Sequence, residues 1–410
     1  MESSDPRCLG KLDFGRRKSQ PDRRPTLDYQ SDAAIEPAMA ATDSEKIRSV
    51  GTQFQVHGRF LRAFPIGKGH INDTFAADYD YGGRTVRFVH QTINHNVFTN
   101  PPAVMENIDR VTRHKRLKLA ESDDPDAGRK SLSVIPKRDG QLYYQDPDGV
   151  YWRTYIYIER AMTFDTIESL EQAQTVASAY GNFQKMLVDL PGARLHETIP
   201  NFHHARMRFD TLMAVVEKDV ENRVQSVRED IEFVVKRESE TDVLLDLIAK
   251  GELPERITHN DTKLNNVMIN DSTGKAICVV DLDTVMPGSV LYDFGDMVRT
   301  ATSPALEDER DLTKVTMQMP MFEALVSGYW QSASDFLNAT ERDHLAFSGK
   351  LLALMIGIRF LTDHIMGDVY FKTRRPDHNL DRARNQFKLV ASIEEQEKAM
   401  RDVVSRICQA

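Results

Sequence analysis

The hydrophobic pattern of this chain changes once, near residue 160, and that change constrains the fold more than any other feature. Before it, residues 75–79, 85–89 and 149–158 are rich in the β-branched and aromatic residues typical of strands. After it, apolar residues recur at three- and four-residue spacing, as in helices that bury one face. We therefore predict an α+β fold in which a small antiparallel β lobe precedes a larger, mainly helical lobe.

The same pattern gives the expected domain boundaries. Residues 1–50 are polar, carry mixed charge and lack periodicity, so we expect a disordered tail there. Residues 51–160 form the predicted N-terminal lobe, with one helix at 104–119. Residues 161–410 form the predicted C-terminal lobe, whose helices are expected at 166–190, 205–249, 305–330 and 341–366.

Composition excludes several classes of function. The formal net charge of −9 argues against non-specific binding to nucleic acid or to a membrane surface. The three cysteines are far apart and form no zinc pattern, which fits a reducing compartment. The apolar run at 351–358 is too short to span a bilayer, and no apolar signal segment opens the chain. We expect a cytoplasmic protein with no membrane or nucleic-acid partner.

A short polar motif carries the chemistry. The chain contains the run His259-Asn260-Asp261-Thr262-Lys263-Leu264-Asn265-Asn266. Transfer of a phosphoryl group from a nucleotide requires a carboxylate that orients and deprotonates the acceptor hydroxyl, and Asp261 is the candidate. Lys263 can offset the charge of the phosphate in transit. These two residues are the predicted catalytic pair.

The spacing also predicts a magnesium site. Asn266 follows Asp261 by five residues, as the metal-binding Asn follows the Asp of a kinase catalytic loop. Asp281 ends the apolar run at 276–280, so a strand and a loop can converge on one ion. Magnesium uses few protein ligands, and Asp281 with Asn266, helped by Asp283, meets that need. The D-F-G string at Asp293 lies farther along, and we expect it to brace the loop or cap a helix.

The nucleotide phosphates are expected to lie under a glycine-bearing turn. Gly67, Gly69, His70 and Asn72 lie between two predicted strands, where glycines let the backbone approach phosphates closely. The segment is not a Walker A loop, because Lys68 is not followed by Ser or Thr.

Two further positions are candidate nucleotide contacts. Gln91 stands where kinases carry a lysine on the third strand, which is a departure from their pattern. Residues 157–162 link the two predicted lobes, and the backbone of Tyr157 and Ile158 is expected to hydrogen-bond the adenine.

These motifs, with longer strings around them, resemble the N-acetylhexosamine 1-kinases, within the protein-kinase-like superfamily of aminoglycoside phosphotransferases and choline kinases. The strings that carry the resemblance are residues 69–74, 104–108, 259–268, 280–288, 292–296, 357–364 and 367–372. The resemblance spans roughly residues 53–395. The chain departs from it at Thr92, where the family has arginine in a Gln-Arg-Ile-Asn string.

The resemblance implies an activity and its ligands. It implies ATP-dependent phosphorylation, with Mg²⁺, of the anomeric hydroxyl of N-acetylglucosamine or N-acetylgalactosamine. Asp261 would be the base and Asp281 the principal metal ligand. Arg359 and Tyr370 match residues that contact the sugar, which suits a fork of donors and a flat ring with a polar tip. The expected partners are therefore a nucleotide and a small sugar, and the oligomeric state stays open, with a monomer compatible.

Two other interpretations stay open at this point. The acceptor could be another small alcohol, such as an amino alcohol or an aminoglycoside, although Arg359 disfavours a cationic acceptor. The protein could also bind nucleotide without catalysis, but Asp261, Asn266 and Asp281 are all present.

Overall fold

An antiparallel sheet forms the N-terminal part of the protein. The computed structural model describes residues 41–67 and 71–409. The sheet has the order β1-β2-β3-β5-β4. Its strands are β1 (Arg59–Pro65), β2 (Thr74–Tyr81), β3 (Arg84–Ile93), β4 (Tyr144–Gln145) and β5 (Tyr151–Ile156). All neighbouring strands in it pair antiparallel, as the sequence predicts.

A tight hairpin joins β2 to β3. Gly82 and Gly83 have φ angles of 61° and 86°. Both glycines thus adopt the left-handed conformation that a two-residue hairpin turn demands. The Asp80 side chain accepts a hydrogen bond from Gly83 N at 2.8 Å and closes the turn.

A helix covers one face of this sheet. Helix α1 spans Ala41–Gln53 and buries Ile47 and Val50 in a small apolar cluster with Tyr79 and Trp152 of the sheet. The prediction of a disordered tail through residue 50 is therefore wrong for residues 41–50. This segment has few apolar residues, so its amphipathic pattern is weak in the sequence. The helix is stabilised by packing its few apolar side chains against the sheet. Residues 1–40 lie outside the described part of the chain.

The predicted helix before the charged loop is confirmed. Helix α2 spans Pro101–Ala120; the Asn100 side chain caps it, and a proline occupies its first turn. Asn107 is buried in α2 and donates to the carbonyl oxygens of His196, at 2.8 Å, and Val285, at 3.0 Å. The helix is thereby fastened to the segment that follows β9.

Two small sheets frame the loops that carry the chemical motifs. The first has the order β6-β8-β9, and the second pairs β7 with β10. Their bounds are β6 (Ala161–Met162), β7 (Arg256–Thr258), β8 (Val267–Asn270), β9 (Ala276–Val279) and β10 (Met286–Gly288). The catalytic motif therefore runs between β7 and β8, and Asp281 and Asp283 lie between β9 and β10.

Helices form the rest of the C-terminal part. They are α3 (Leu170–Leu187), α4 (Ala205–Lys218), α5 (Arg228–Val235), α6 (Val243–Ala249), α7 (Val290–Ala301), α8 (Met319–Ala333), α9 (Ala339–Asp343), α10 (Leu345–Ile365) and α11 (His378–Cys408). The predicted helix at 205–249 is three helices, and the one at 305–330 begins only at Met319. Helix α11 was not predicted at all. The α+β fold class, with the sheet before a larger helical region, is confirmed.

Helix α10 is the centre of the helical core. It is long and apolar enough to cross a membrane by length and composition, but 78% of its most apolar window is buried inside the protein. Its Lys350 is also buried, and its ammonium lies 3.1 Å from Glu240 and 3.3 Å from Glu397. A core helix with a paired lysine accounts for the apolar pattern.

Candidate active site

The structure brings three of the predicted residues together on the loop between β7 and β8. Lys263 Nζ lies 2.9 Å from Asp261 Oδ2. The Asn266 amide donates to the Asp261 carbonyl oxygen at 2.8 Å and approaches Oδ2 at 3.3 Å. One short loop thus carries all three candidates: the base Asp261, the phosphate-neutralising Lys263 and the metal ligand Asn266.

Asp293, on helix α7, holds this loop in place through hydrogen bonds. Its carboxylate accepts hydrogen bonds from His259 N at 2.9 Å and Asn260 N at 2.7 Å. Gln184 donates to it at 2.6 Å, and Thr262 Oγ1 donates to the Asp293 carbonyl oxygen at 2.6 Å. The prediction that Asp293 braces the loop is confirmed. The cap of helix α7 is instead Ser289.

Two residues beside the cleft have left-handed backbones. Asn260 has a φ of 65° and Asp281 a φ of 58°. Residues with a Cβ rarely adopt this conformation unless their surroundings fix it, and such residues cluster at functional sites. At Asn260 the side-chain amide donates to the carbonyl oxygen of Thr284 at 2.9 Å, which ties the two chemical loops together.

Charge is crowded around Asp281. Its side chain is exposed to solvent, between β9 and β10. The surrounding protein, followed by the negative charges of Asp283 and Asp261, raises the pKa of its carboxyl above the ordinary value. Its carboxylate accepts no hydrogen bond from the described residues, since none of their donors reaches it. An oxygen ligand left in this state fits a bound cation.

The donor set suits magnesium better than a metal that needs a protein cage. No group of three or more His, Cys, Asp or Glu side chains could hold a metal within residues 41–67 and 71–409. Asp281 offers a carboxylate and Asn266 an amide oxygen, which matches the few protein ligands that Mg²⁺ uses. Asp283, the third expected ligand, has both oxygens engaged, one by Arg153 and one by Asn72.

The charge balance keeps Asp261 ionised. Burial raises the pKa of its carboxyl, but the charge and hydrogen bond of Lys263, together with smaller effects that include the charge of Arg299, outweigh burial, and the pKa is lowered overall. Asp261 can therefore accept a hydrogen bond from an acceptor hydroxyl throughout the neutral range.

On the nucleotide side, Asn72 connects the expected phosphate cover to the chemical loops. Its amide donates to Asp283 Oδ2 at 2.6 Å, and its Oδ1 accepts from Asn94 N at 2.9 Å. Gly67, two residues after the end of β1, has a left-handed φ of 76°. Gly69 and His70 lie outside the described residues.

Gln91 lies on β3, as predicted, but its amide is engaged by protein. Its Nε2 donates to Thr74 Oγ1 at 2.8 Å. Its Oε1 accepts two hydrogen bonds from the Arg153 guanidinium, at 2.7 and 3.0 Å. Sequence reasoning missed Arg153, which lies on β5 within an otherwise apolar and aromatic strand. An arginine in such a strand is the signal that could have identified it, since a buried charge needs a partner.

Tyr157 and Ile158 form the link between the large sheet and β6. Tyr157 N donates to the Arg87 carbonyl oxygen at 3.2 Å, and the Arg87 guanidinium lies over the Tyr157 ring at 5.2 Å. The Arg129 guanidinium donates to the carbonyl oxygens of the next two residues, Glu159 and Arg160. The link is therefore held from both ends.

The predicted sugar contacts lie close together, Arg359 on α10 and Tyr370 on the loop that follows it. The Arg359 guanidinium is surrounded by the rings of Phe202, Tyr370 and Phe371, with centroids 5.7, 5.9 and 5.4 Å away. It forms no ion pair with any described residue. Burial lowers the pKa of Arg359, and the Tyr370 hydroxyl acts on it in the opposite direction, followed more weakly by the charge of Asp261. The arginine is therefore near enough to the candidate base to be influenced by its charge.

A buried aspartate sets the loop that carries Tyr370. Asp363 accepts hydrogen bonds from Tyr370 N at 2.8 Å and Phe371 N at 2.9 Å. Asn379 of α11 donates to Asp363 at 2.8 Å and to Asp368 at 2.8 Å. The Tyr370 ring is itself largely exposed, so the backbone of the loop and not core packing fixes its place.

Solved structures share this fold. The chain is similar to a microcompartment-associated aminopropanol kinase, with a TM-score of 0.53 and 14% identity over 87% of this chain and 98% of that chain. An aminoglycoside phosphotransferase from Alicyclobacillus acidocaldarius gives 0.53 and 9%, over 92% and 99%. A choline kinase from Cryptosporidium parvum gives 0.50 and 12%, over 89% and 99%. At these identities the likeness is one of fold.

A sequence-family model matches the chain directly. It is that of the Phosphotransferase enzyme family, and the match runs from residue 65 to residue 315. These residues include the strands around Asn72 and Gln91, the loop of Asp261 and the loop of Asp281. Because the match covers more than half of the sequence, the chain belongs to the phosphotransferase enzyme family.

Proposed function

We propose that the protein transfers the terminal phosphoryl group of ATP to the anomeric hydroxyl of an N-acetylhexosamine. The observation that carries the choice of acceptor is Arg359. It is a partly buried guanidinium that forms no ion pair with a carboxylate among the described residues and lies among three aromatic rings. Hydroxyl and acetamide oxygens are acceptors that such a group can bind.

The chain's own residues supply the acid–base and charge chemistry. The acceptor hydroxyl attacks the terminal phosphorus, the bond from that phosphorus to the bridging oxygen of ADP breaks, and the hydroxyl proton passes to Asp261. Lys263 offsets the charge on the phosphoryl group in transit. An anomeric hydroxyl is more acidic than an ordinary alcohol because the ring oxygen withdraws electrons. A carboxylate of lowered pKa, as at Asp261, is accordingly a sufficient base for it.

The proposed metal ligands are Asp281 and Asn266. Magnesium bound there would neutralise phosphate charge and align the terminal phosphate with the acceptor. Asp283 can join them only by giving up its bond to Arg153 or to Asn72. Nucleotide contacts are proposed at Gly67, Gly69 and His70 and at the backbone of Tyr157 and Ile158.

The sugar contacts are proposed at Arg359 and Tyr370. A pyranose has an apolar face that stacks on an aromatic ring, and the exposed Tyr370 ring offers such a face. The Arg359 fork can donate to two oxygens at once, which fixes the orientation of the sugar.

The decisive experiment is an acceptor panel with ATP and magnesium. We expect N-acetylglucosamine or N-acetylgalactosamine to give an acid-labile sugar 1-phosphate, detected by phosphorus NMR and by its loss in mild acid. The C1-deoxy analogue is the matched control, since it keeps every other contact but lacks the reacting hydroxyl. If neither sugar is phosphorylated while another acceptor in the panel is, the proposed acceptor is wrong.

The competing acceptor is a small amino alcohol, since two of the similar folds are named as an aminopropanol kinase and a choline kinase. A cationic acceptor needs carboxylates or open aromatic faces, and the unpaired positive charge of Arg359 opposes it. Choline, ethanolamine and an aminoglycoside therefore belong in the same panel. Tight binding of Mg-ATP without turnover of any acceptor would favour a binding protein.

A further inference from the structure

We propose that Arg153 is the positioning residue that replaces the missing third-strand lysine, and that it acts by clamping the loop of Asp281 to the large sheet through Asp283. The inference rests on the proposed function in one respect, since it supposes that the cleft binds a magnesium–nucleotide complex. Its subject is how the cleft is assembled, and it is independent of the acceptor.

Strand register places Arg153 where it can serve the lysine position. Gln91 on β3 and Arg153 on β5 are directly opposed in the antiparallel ladder. Directly opposed residues lie on the same face of a sheet. The guanidinium reaches across to Gln91 Oε1 through Nε and one terminal nitrogen. A positive charge therefore lies beside position 91 of β3, but it is carried by Arg153 on the neighbouring strand β5.

The other end of the Arg153 guanidinium contacts the loop between β9 and β10, which carries the proposed metal ligand Asp281. Its second terminal nitrogen forms an ion pair with Asp283 Oδ1. The remaining oxygen of Asp283 accepts from the Asn72 amide at 2.6 Å. Asp283 is thus held both by β5 and by the segment just before β2. Because Asp281 is only two residues earlier in the chain, its left-handed backbone is fixed by this anchor.

Burial argues for a positioning role and against direct contact with nucleotide. Arg153 is 1% exposed and Asp283 is 2% exposed. The guanidinium also lies over the Tyr155 ring, at 5.4 Å from its centroid. A cation enclosed in this way acts on phosphate through the groups it holds. The pair would then set the distance between the sheet and the metal ligand, which the lysine of other kinases does by direct contact.

The test separates magnesium–nucleotide binding from nucleotide binding alone. Calorimetry would measure the Kd of a non-hydrolysable ATP analogue with magnesium, and with EDTA, for wild type and for Arg153→Met. We expect the variant to lose at least tenfold in affinity with magnesium and less than threefold without it. Arg237→Met is the matched control, because it removes an arginine paired with Glu394 on helices away from the cleft. It should leave both constants unchanged.

A second variant tests the substitution for lysine directly. Gln91→Lys in the Arg153→Met background returns a cation to β3, and we expect it to regain at least part of the lost affinity. Affinity with magnesium within twofold of wild type in folded Arg153→Met would overturn the inference. If that variant does not fold, Arg153→Gln decides: its neutral amide cannot form the ion pair with Asp283, so an unchanged Kd with magnesium would overturn the inference.

The result also distinguishes the two proposals. Absence of magnesium–nucleotide binding in wild type would count against the proposed function and the clamp together. Normal binding in wild type and in both Arg153 variants would remove only the clamp, and the acceptor panel would be unaffected.

Discussion

Lys263 and Asp261 form an ion pair in which the ammonium lies 2.9 Å from carboxylate oxygen Oδ2. The Asn266 amide approaches the same oxygen at 3.3 Å. Oδ1 accepts no hydrogen bond from the described residues and is the atom free to receive a proton. The pair thus divides the carboxylate into one oxygen that is held and one that can react.

Asp261→Asn should therefore remove the base and keep the loop. The amide oxygen can still accept from Lys263, but neither amide atom can take up the acceptor proton. We expect kcat to fall by about a hundredfold or more, the usual range for loss of a general base. Steady-state kinetics would measure it, and the Kd of magnesium–ATP serves as the control. A near-normal kcat would refute the role of Asp261.

Asp293→Asn should loosen the catalytic loop from the helix beneath it. The carboxylate accepts two backbone N–H groups and the Gln184 amide, and an asparagine would place a donor against one of them. We expect a loss of about 1–3 kcal/mol in the free energy of unfolding, measured in urea. Activity should also fall, since the loop carries Asp261.

The control for this substitution is Asp335→Asn. Asp335 pairs with Lys185 at the surface, and its side chain is 68% exposed. An exposed pair of this kind contributes little, so the change should stay within about 0.5 kcal/mol. Equal effects of the two variants would contradict the bracing role of Asp293.

Arg359→Met should separate acceptor binding from nucleotide binding. The methionine keeps the aromatic packing around the side chain but removes the donors proposed for the sugar oxygens. We expect the KM for the sugar to rise at least tenfold, about 1.4 kcal/mol, with little change in the KM for ATP. Arg342→Met, on the short helix α9, is the matched control and should change neither constant. A change confined to the ATP constant would place Arg359 elsewhere.

Acid should destabilise the protein through buried neutral histidines. Burial lowers the pKa of His90 to about 4, and it does the same to His203. An unfolded histidine titrates near pH 6.5, so between about pH 6.5 and 4 the unfolded chain binds more protons. Stability is therefore full above that window and falls as the pH drops through it, by up to about 1.4 kcal/mol per pH unit for each histidine.

His90→Gln tests this slope. His90 hydrogen-bonds to Tyr79 at 3.0 Å and to Thr154 at 2.9 Å, and a glutamine can form similar bonds without titrating. Urea unfolding at several pH values should show a shallower acid loss in the variant. The exposed His57→Gln is the control, and a slope equal to that of wild type in both variants would contradict the prediction.

The fold class could be predicted from the sequence because the spacing of apolar residues indicates which faces of helices and strands are buried. The β-branched and aromatic residues of β2 and β3, with the two glycines between them, were enough to predict a hairpin from local sequence. The segment at 205–249 keeps a helical spacing throughout, yet it breaks into three helices. Tertiary packing decided those breaks, and local propensity could not. Helix α11 was missed because many charged residues are interspersed among the apolar residues that it buries.

The candidate site likewise has a part that could be predicted from the sequence and a part that could not. Asp261, Lys263 and Asn266 are close in sequence, so their spacing was enough to predict one shared turn. Arg153 and Asp283 are 130 residues apart, and only the tertiary fold brings them together. The spacing of residues in a single sequence does not predict that contact. The choice between a metal ligand and an anchor at Asp283 therefore needed the structure.

The link formed by Tyr157 and Ile158 has a consequence for recognition of the nucleotide base. Arg129 occupies the carbonyl oxygens of Glu159 and Arg160, and the N–H of Tyr157 already donates to strand β3. Adenine and guanine differ in whether one ring edge presents an amine or a carbonyl, so a protein distinguishes them with its unoccupied peptide groups. Here those groups are confined to the short stretch around Ile158. If this link contacts the base as proposed, Arg129, thirty residues earlier in the chain, limits which peptide groups can select one purine over the other.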